Sequence, residues 1–157
     1  MSRAFVKESD GAEDLPERPV SPERNLVTRR GLALIEAEIA AGREALTSAT
    51  AAGDRAGIAR ASRDLRYWTT RRANAEPVDP PGGAAVTFGV AVTVETEAGA
   101  RRTFRIVGED EADPTAGRIG WTAPVARRLM GREIGDEVTL PAGPAEIVAI
   151  ESAPERA

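Results

Sequence analysis

Two absences define which residues of this chain can do chemistry. Its 157 residues include no Cys and no His. Thiol nucleophiles, disulfide frameworks, Cys/His zinc sites and His-based triads are therefore excluded. A metal site would have to be all carboxylate, of the magnesium or calcium kind. What remains conspicuous is arginine. Arg55, Arg60, Arg63, Arg66, Arg71 and Arg72 crowd one short stretch against only Asp54 and Asp64. Residues 28–76 carry nine Arg against six acids, whereas 82–151 carry seven Arg against eleven acids. A basic segment beside an acidic one points to an oriented partner, one containing nucleic acid among the candidates. A solvated helix face is the alternative reading of the same arginines. With a net charge of −4, the whole chain is not a simple DNA-coating cation. Three Phe, one Tyr and two Trp are too few for an aromatic stacking surface.

The elements that must position these residues are legible from period and punctuation. Residues 1–25 hold six acids, four bases and three prolines, and read as a flexible arm. Thr28 suits a helix N-cap. Leu32, Ile35, Ile39, Gly42, Leu46 and Ala49 then recur at helical spacing, and Ile58, Ala61, Leu65, Trp68, Arg72 and Ala75 repeat it. Between the two series, Gly53 suits a helix C-terminus and Asp54 the next N-cap. Residues 26–76 thus read as an antiparallel coiled-coil hairpin. About 24 residues at 1.5 Å each give it a reach of roughly 36 Å. Arg72 interrupts the apolar seam, with its stem covering the base and its head reaching water.

Residues 77–84 follow as a Pro- and Gly-rich linker. The period then changes to two. Val86, Phe88, Val90, Val92 and Val94 alternate with small or polar residues, as in a strand with one buried face. A turn at Glu97–Ala100 leads to a return strand, Thr103 to Val107. An acidic loop from Gly108 to Gly117 precedes a short strand at Arg118–Trp121, a helix from Pro124 to Met130 and two further strands. The fold class is α+β: a helical hairpin followed by a small domain at 85–151. No stretch approaches the length of a membrane span, and the N-terminal residues lack the apolar core of a secretory signal. A cytoplasmic protein without membrane contact is expected.

The motifs of the second half, taken in order, carry a family likeness. Val86-Thr87-Phe88-Gly89, Thr103 to Gly108, Glu109 to Asp113 and Gly117-Arg118-Ile119 resemble the C-terminal domain of the GreA/GreB factors. Ala123 to Gly131 resembles that family's Ser-Pro helix motif, and Arg132 to Val138 its closing Gly-Asp motif. Leu26 to Leu32 is similar to the opening of its coiled coil. The resemblance covers about residues 26–151 and implies an FKBP-like C-terminal domain. It also implies a bacterial transcription elongation factor that docks on RNA polymerase, with its coiled coil in the secondary channel. The docking residues would be Trp121, Thr122, Ala123 and Pro124. Arg55, Arg60, Arg63 and Arg66 would form a basic finger face, in indirect contact with nucleic acid of the elongation complex. Neither a small-molecule substrate nor a cofactor of its own is implied, beyond a magnesium ion shared with the polymerase active centre.

Departures from the family pattern shape the expected activity. The family tip reads Gly-Asp-Leu-x-Glu-Asn-Ala-Glu-Tyr, and here Gly53-Asp54-Arg55-Ala56-Gly57-Ile58-Ala59-Arg60-Ala61 stands in its place. Asp54 matches the aspartate, Gly57 replaces the key glutamate, and Arg60 replaces another acid. One carboxylate beside Arg55 is a poor ligand set for magnesium. The finger is also about two turns shorter than a typical cleavage factor's, which removes roughly 10 Å of reach. The expectation is a non-enzymatic regulator with weak or no stimulation of transcript cleavage. Alternatives are a true cleavage-stimulating factor using Asp54, a peptidyl-prolyl isomerase, and a coiled-coil protein for another partner.

Overall fold

The computed structural model describes residues 15–156. The expected flexible arm therefore lies outside the described residues up to residue 14. The α+β class holds, with two long helices followed by a five-stranded sheet. The chain divides into two compact units, one containing Glu36–Ala73 with the stretch up to Ser21, the other Pro22–Ile35 with Asn74–Ala157.

Helices α1 (Arg29–Ala52) and α2 (Arg55–Ala73) form the hairpin, of which Glu36 onward belongs to the first unit. Ala49, Ala61 and Trp68 of the expected seams are buried, while Ile39, Leu46, Ile58 and Leu65 are half-buried. Gly42 belongs to the seam because Leu65 lies against it: a β-carbon there would sit 3.0 Å from Leu65 Cγ. The arginine at the base is not the one expected. Arg71 is buried at 1% exposure, while Arg72 is exposed and its Nε lies 3.1 Å from Glu36 Oε1.

Residues 15–21, read as part of a flexible arm, are instead an extended segment placed against α2. Prolines at 16 and 19 favour that extension and reduce the entropy lost on docking. Glu17 and Arg18 supply charges complementary to the arginines and Asp64 of α2.

The second unit opens with a feature the sequence did not announce. Strand β1 (Asn25–Val27) pairs in parallel with β2 (Ala75–Pro77), register Asn25↔Ala75. Ala75 is thus in a strand and not in the helix. Pro77, expected to open the linker, ends that strand, and Val78 N–H extends the pairing by donating to Val27 O at 2.9 Å. The main sheet has the order β5-β4-β3-β7-β6, from β3 (Ala91–Thr96), β4 (Arg101–Val107), β5 (Arg118–Gly120), β6 (Glu137–Leu140) and β7 (Gly143–Glu151). Pairing is antiparallel except between β4 and β5.

The alternating residues Val86, Phe88, Val90, Val92 and Val94 are all buried. The strand itself starts only at Ala91, since Gly89 takes φ +90 and turns the chain. Helix α3 (Pro124–Leu129) adds Ala126 and Leu129 to this core, and β1 adds Leu26. Burying a side chain such as Leu129 is worth about 1.5–3 kcal/mol. The acidic loop contains two single-turn 3₁₀ helices, Glu109–Glu111 and Pro114–Ala116.

Candidate partner-binding site

The tip of the hairpin is built by three residues. Gly53 takes φ +64, a conformation open to glycine at little cost. It ends α1 in a Schellman arrangement: Asp54 N–H donates to Ala49 O at 2.9 Å and Gly53 N–H to Thr50 O at 3.2 Å. Asp54 then caps α2, its Oδ1 accepting from Gly57 N–H at 3.0 Å. The aspartate therefore does the work of an N-cap, and Gly57 offers no second carboxylate. Among the described residues, no three acidic side chains are grouped so as to hold a metal ion. The tip does not fit a magnesium site made by this chain.

The four arginines of the finger face are not equally available. Arg60 is exposed and has no ion-pair partner among the described residues. Arg63 lies 3.3 Å from Asp64 Oδ1. Arg66 is gripped by Glu17, at 3.0 Å from Nε to Oε2 and 2.5 Å from Nη2 to Oε1. Arg55, the first residue of α2, stands beside the cap. Arg66's hydrogen bonds hold the Glu17 carboxyl below the usual carboxylate range. Arg18 completes the strap, with its guanidinium 3.9 Å from the Tyr67 ring centroid and 3.5 Å from Asp64 Oδ1. Exposed ion pairs of this kind are worth about 0–1 kcal/mol each.

On the second unit, Trp121, Thr122, Ala123 and Pro124 form one continuous turn between β5 and α3. Trp121 N–H donates to Val107 O at 2.9 Å, and its ring packs partly on the core. The indole Nε1 is buried and has no acceptor among the described residues. Pro124 is exposed and opens α3, where its missing N–H costs nothing. Ala123 occupies the N-cap but has no side-chain oxygen for the first-turn N–H groups. Arg127 Nε donates to Thr122 O at 2.8 Å, which ties the first turn of α3 back to the preceding turn. The four predicted residues are thus brought together, and the finger arginines belong to the other unit.

An ionic cluster that sequence reasoning missed lies at the start of α1. Glu111 is buried, and its Oε2 accepts from Thr28 Oγ1 at 2.5 Å. Arg30 Nη1 lies 3.3 Å from Oε1 and Arg118 Nη1 3.9 Å. Thr28 also caps α1, accepting from Gly31 N–H at 2.9 Å. Gly31 leaves room for the carboxylate, since a β-carbon there would lie 2.6 Å from Glu111 Oε2. The one sequence signal was Thr28 as N-cap. An acidic loop gave no hint of which acid turns inward.

A family model described as transcription elongation factor, GreA/GreB, C-term, matches residues 81–152. Transcription elongation factor GreB of Pasteurella multocida is 37% identical over 107 residues, covering 60% of this chain and 68% of that protein. Transcription elongation factor GreA of Hyphomonas neptunium is 47% identical over 75 residues, covering 46% of this chain and 48% of that protein. The chain spans about half the length of the first curated relatives it matches. A solved prokaryotic GreA/GreB factor from Nitrosomonas europaea overlays with TM-score 0.41 at 20% identity, covering 82% of this chain and 98% of that one.

A helical hairpin followed by a five-stranded α+β domain, with exposed charge on one part and a turn of Trp and Pro on the other, defines the class. The chain belongs to the GreA/GreB family of transcription elongation factors. Among the described residues, no helix is long and apolar enough to cross a membrane.

Proposed function

We propose that this chain is a cytoplasmic, non-enzymatic regulator of RNA polymerase that stimulates transcript cleavage weakly or not at all. The observation that carries the reading is the tip. Its matching carboxylate, Asp54, is engaged in capping α2, and Gly57 stands where the family has its key glutamate. The hairpin enters the secondary channel, and its arginines face the nucleic acid of the elongation complex. The turn Trp121–Pro124 docks on the polymerase, presenting the exposed Pro124 and the half-buried Trp121 ring. The factor brings no cofactor of its own, and no step is assigned to a magnesium ion. Phe88 and Phe104 are each 4% exposed and committed to the core, which weighs against the aromatic-lined pocket of a prolyl isomerase.

A backtracked elongation complex with labelled RNA tests this reading. The protein alone should leave the RNA intact, and it should inhibit a cleavage-competent Gre factor by occupying the same channel. Cleavage by the protein alone would overturn the proposal. Trp121→Ala should weaken that inhibition, and unchanged inhibition would remove Trp121 from the docking surface. Recovery of the large polymerase subunits from a bacterial lysate separates this reading from a different protein partner.

A further inference from the structure

Arg105 on β4 and Arg118 on β5 are paired directly across the parallel register of the two strands. Both side chains are only 17% exposed. Between them they hold a single outer carboxylate, that of Glu155. Arg118 Nη2 donates to Oε1 at 2.7 Å and Nη1 donates to Oε2, while Arg105 Nε lies 3.7 Å from Oε2. Behind this pair sits Glu111, shared with Arg30. The folded domain thus supplies three guanidiniums and one buried carboxylate. The second carboxylate comes from Ser152–Arg156, a stretch without regular structure beyond β7.

Arg105 has an anchor besides Glu155 and Ala153 O, whereas the Arg118 guanidinium has Glu111 at 3.9 Å as its other neighbour. Arg105 Nη1 donates to Gly89 O at 3.0 Å, and both arginines lie in paired strands. Without Glu155, the three guanidiniums would face the buried Glu111 carboxylate and, farther out, the exposed Asp113, leaving positive charge in excess. Half-buried cations left in that state are costly, so the cradle favours an anion. The guanidinium fork of Arg118 selects the anion's geometry: two oxygens on one centre, as in a carboxylate or a phosphate.

We propose that Arg105 and Arg118 form an oxyanion site, which Glu155 fills from the chain's own C-terminal segment and which a partner's carboxylate or phosphate takes over when that segment leaves. A tethered occupant acts at an effective concentration on the order of millimolar. A free anion therefore competes poorly, whereas one presented on an already docked partner competes on equal terms. The site lies outside the Trp121–Pro124 turn and does not rest on polymerase being that partner.

The test titrates inorganic phosphate and, separately, glutarate into the full chain, followed by calorimetry and by NMR of arginine side-chain and backbone N–H groups. Wild type, Glu155→Gln, Glu155→Ala and the double variant Glu155→Ala/Arg118→Gln are compared, with thermal melts to verify folding. Both single variants should bind at least one anion tenfold or more tighter than wild type, with the largest shifts at Arg105 and Arg118. The double variant should lose that binding. Preference for phosphate or for glutarate would identify which oxyanion the cradle suits. No gain in either single variant, or a gain that survives loss of Arg118, would overturn the proposal.

Discussion

Thr28 and Glu111, 83 residues apart, are joined by a 2.5 Å hydrogen bond from hydroxyl to carboxylate. The same hydroxyl accepts from Gly31 N–H, so one side chain both caps α1 and ties its first turn to the 3₁₀ turn after β4. The arrangement also places a negative charge at the positive end of a 24-residue helix, where the dipole favours it. The first turn of the hairpin is thereby part of the β-domain's packing.

Gly31→Ala tests that anchor. The new methyl would force the buried Glu111 carboxylate off Thr28 and Arg30. Stability should fall by about 1–3 kcal/mol, the usual cost of overpacking and of a disturbed charged hydrogen bond. In chemical denaturation, Gly31→Ala combined with Glu111→Ala should lose less than the two single losses added together. Strict additivity would mean that the two residues are not coupled.

Asp54 separates capping from metal delivery. If its role is the cap, Asp54→Ser and Asp54→Asn should retain stability, while Asp54→Ala should lose about 0.5–2 kcal/mol. None of the three should alter inhibition of a competent cleavage factor. A loss of activity in Asp54→Asn with stability intact would restore a ligand role.

Three glutamates stand in one row across the sheet, Glu95 opposite Glu146 and Glu146 opposite Glu137. Arg101 pairs with Glu95 at 2.6 Å, and the central Glu146 faces like charge on both sides. Like charges placed directly opposite destabilise a sheet. Glu146→Thr should therefore raise the melting temperature, by an amount equivalent to about 0.2–1 kcal/mol. The gain should shrink in high salt, which already screens the exposed row.

Glu155 gives a prediction in pH. Hydrogen bonds from Arg118, with the charges of Arg118, Arg105 and Arg30, hold its carboxyl below the usual range. A carboxyl lowered on folding contributes stability above its unfolded pKa and loses it as pH falls through the folded one. Wild type should therefore exceed Glu155→Gln in stability at neutral pH. The difference should close as pH falls below about 4. Melts of both proteins from pH 7 to pH 3 check this, and a constant offset would contradict it.

The helices and most strands were legible because their apolar periods are long and their punctuation is strong. Gly53-Asp54 marked the hairpin turn to the residue, since both positions have one dominant local conformation. The pairing of β1 with β2 was not legible, because three residues give no period and Pro77 looks like a linker. Arg71 was missed because it lies off the heptad series, and an arginine there carries no local mark that it is buried. Glu111, Arg118 and Glu155 escaped for a different reason. Their roles come from contacts between residues far apart in sequence, such as 37 residues from Arg118 to Glu155. One acid in an acidic loop carries no local mark that it alone is buried.

The pairing Asn25↔Ala75 has a consequence for how such proteins can vary. The chain leaves for the hairpin and returns from it through two neighbouring strands, so Glu36–Ala73 form an insertion between two stretches of the other unit. Removing or adding one heptad in each helix would change its length by roughly 10 Å and leave the doorway untouched. Reach becomes a quantity that insertion and deletion can tune on their own, independently of the β-domain's own surface.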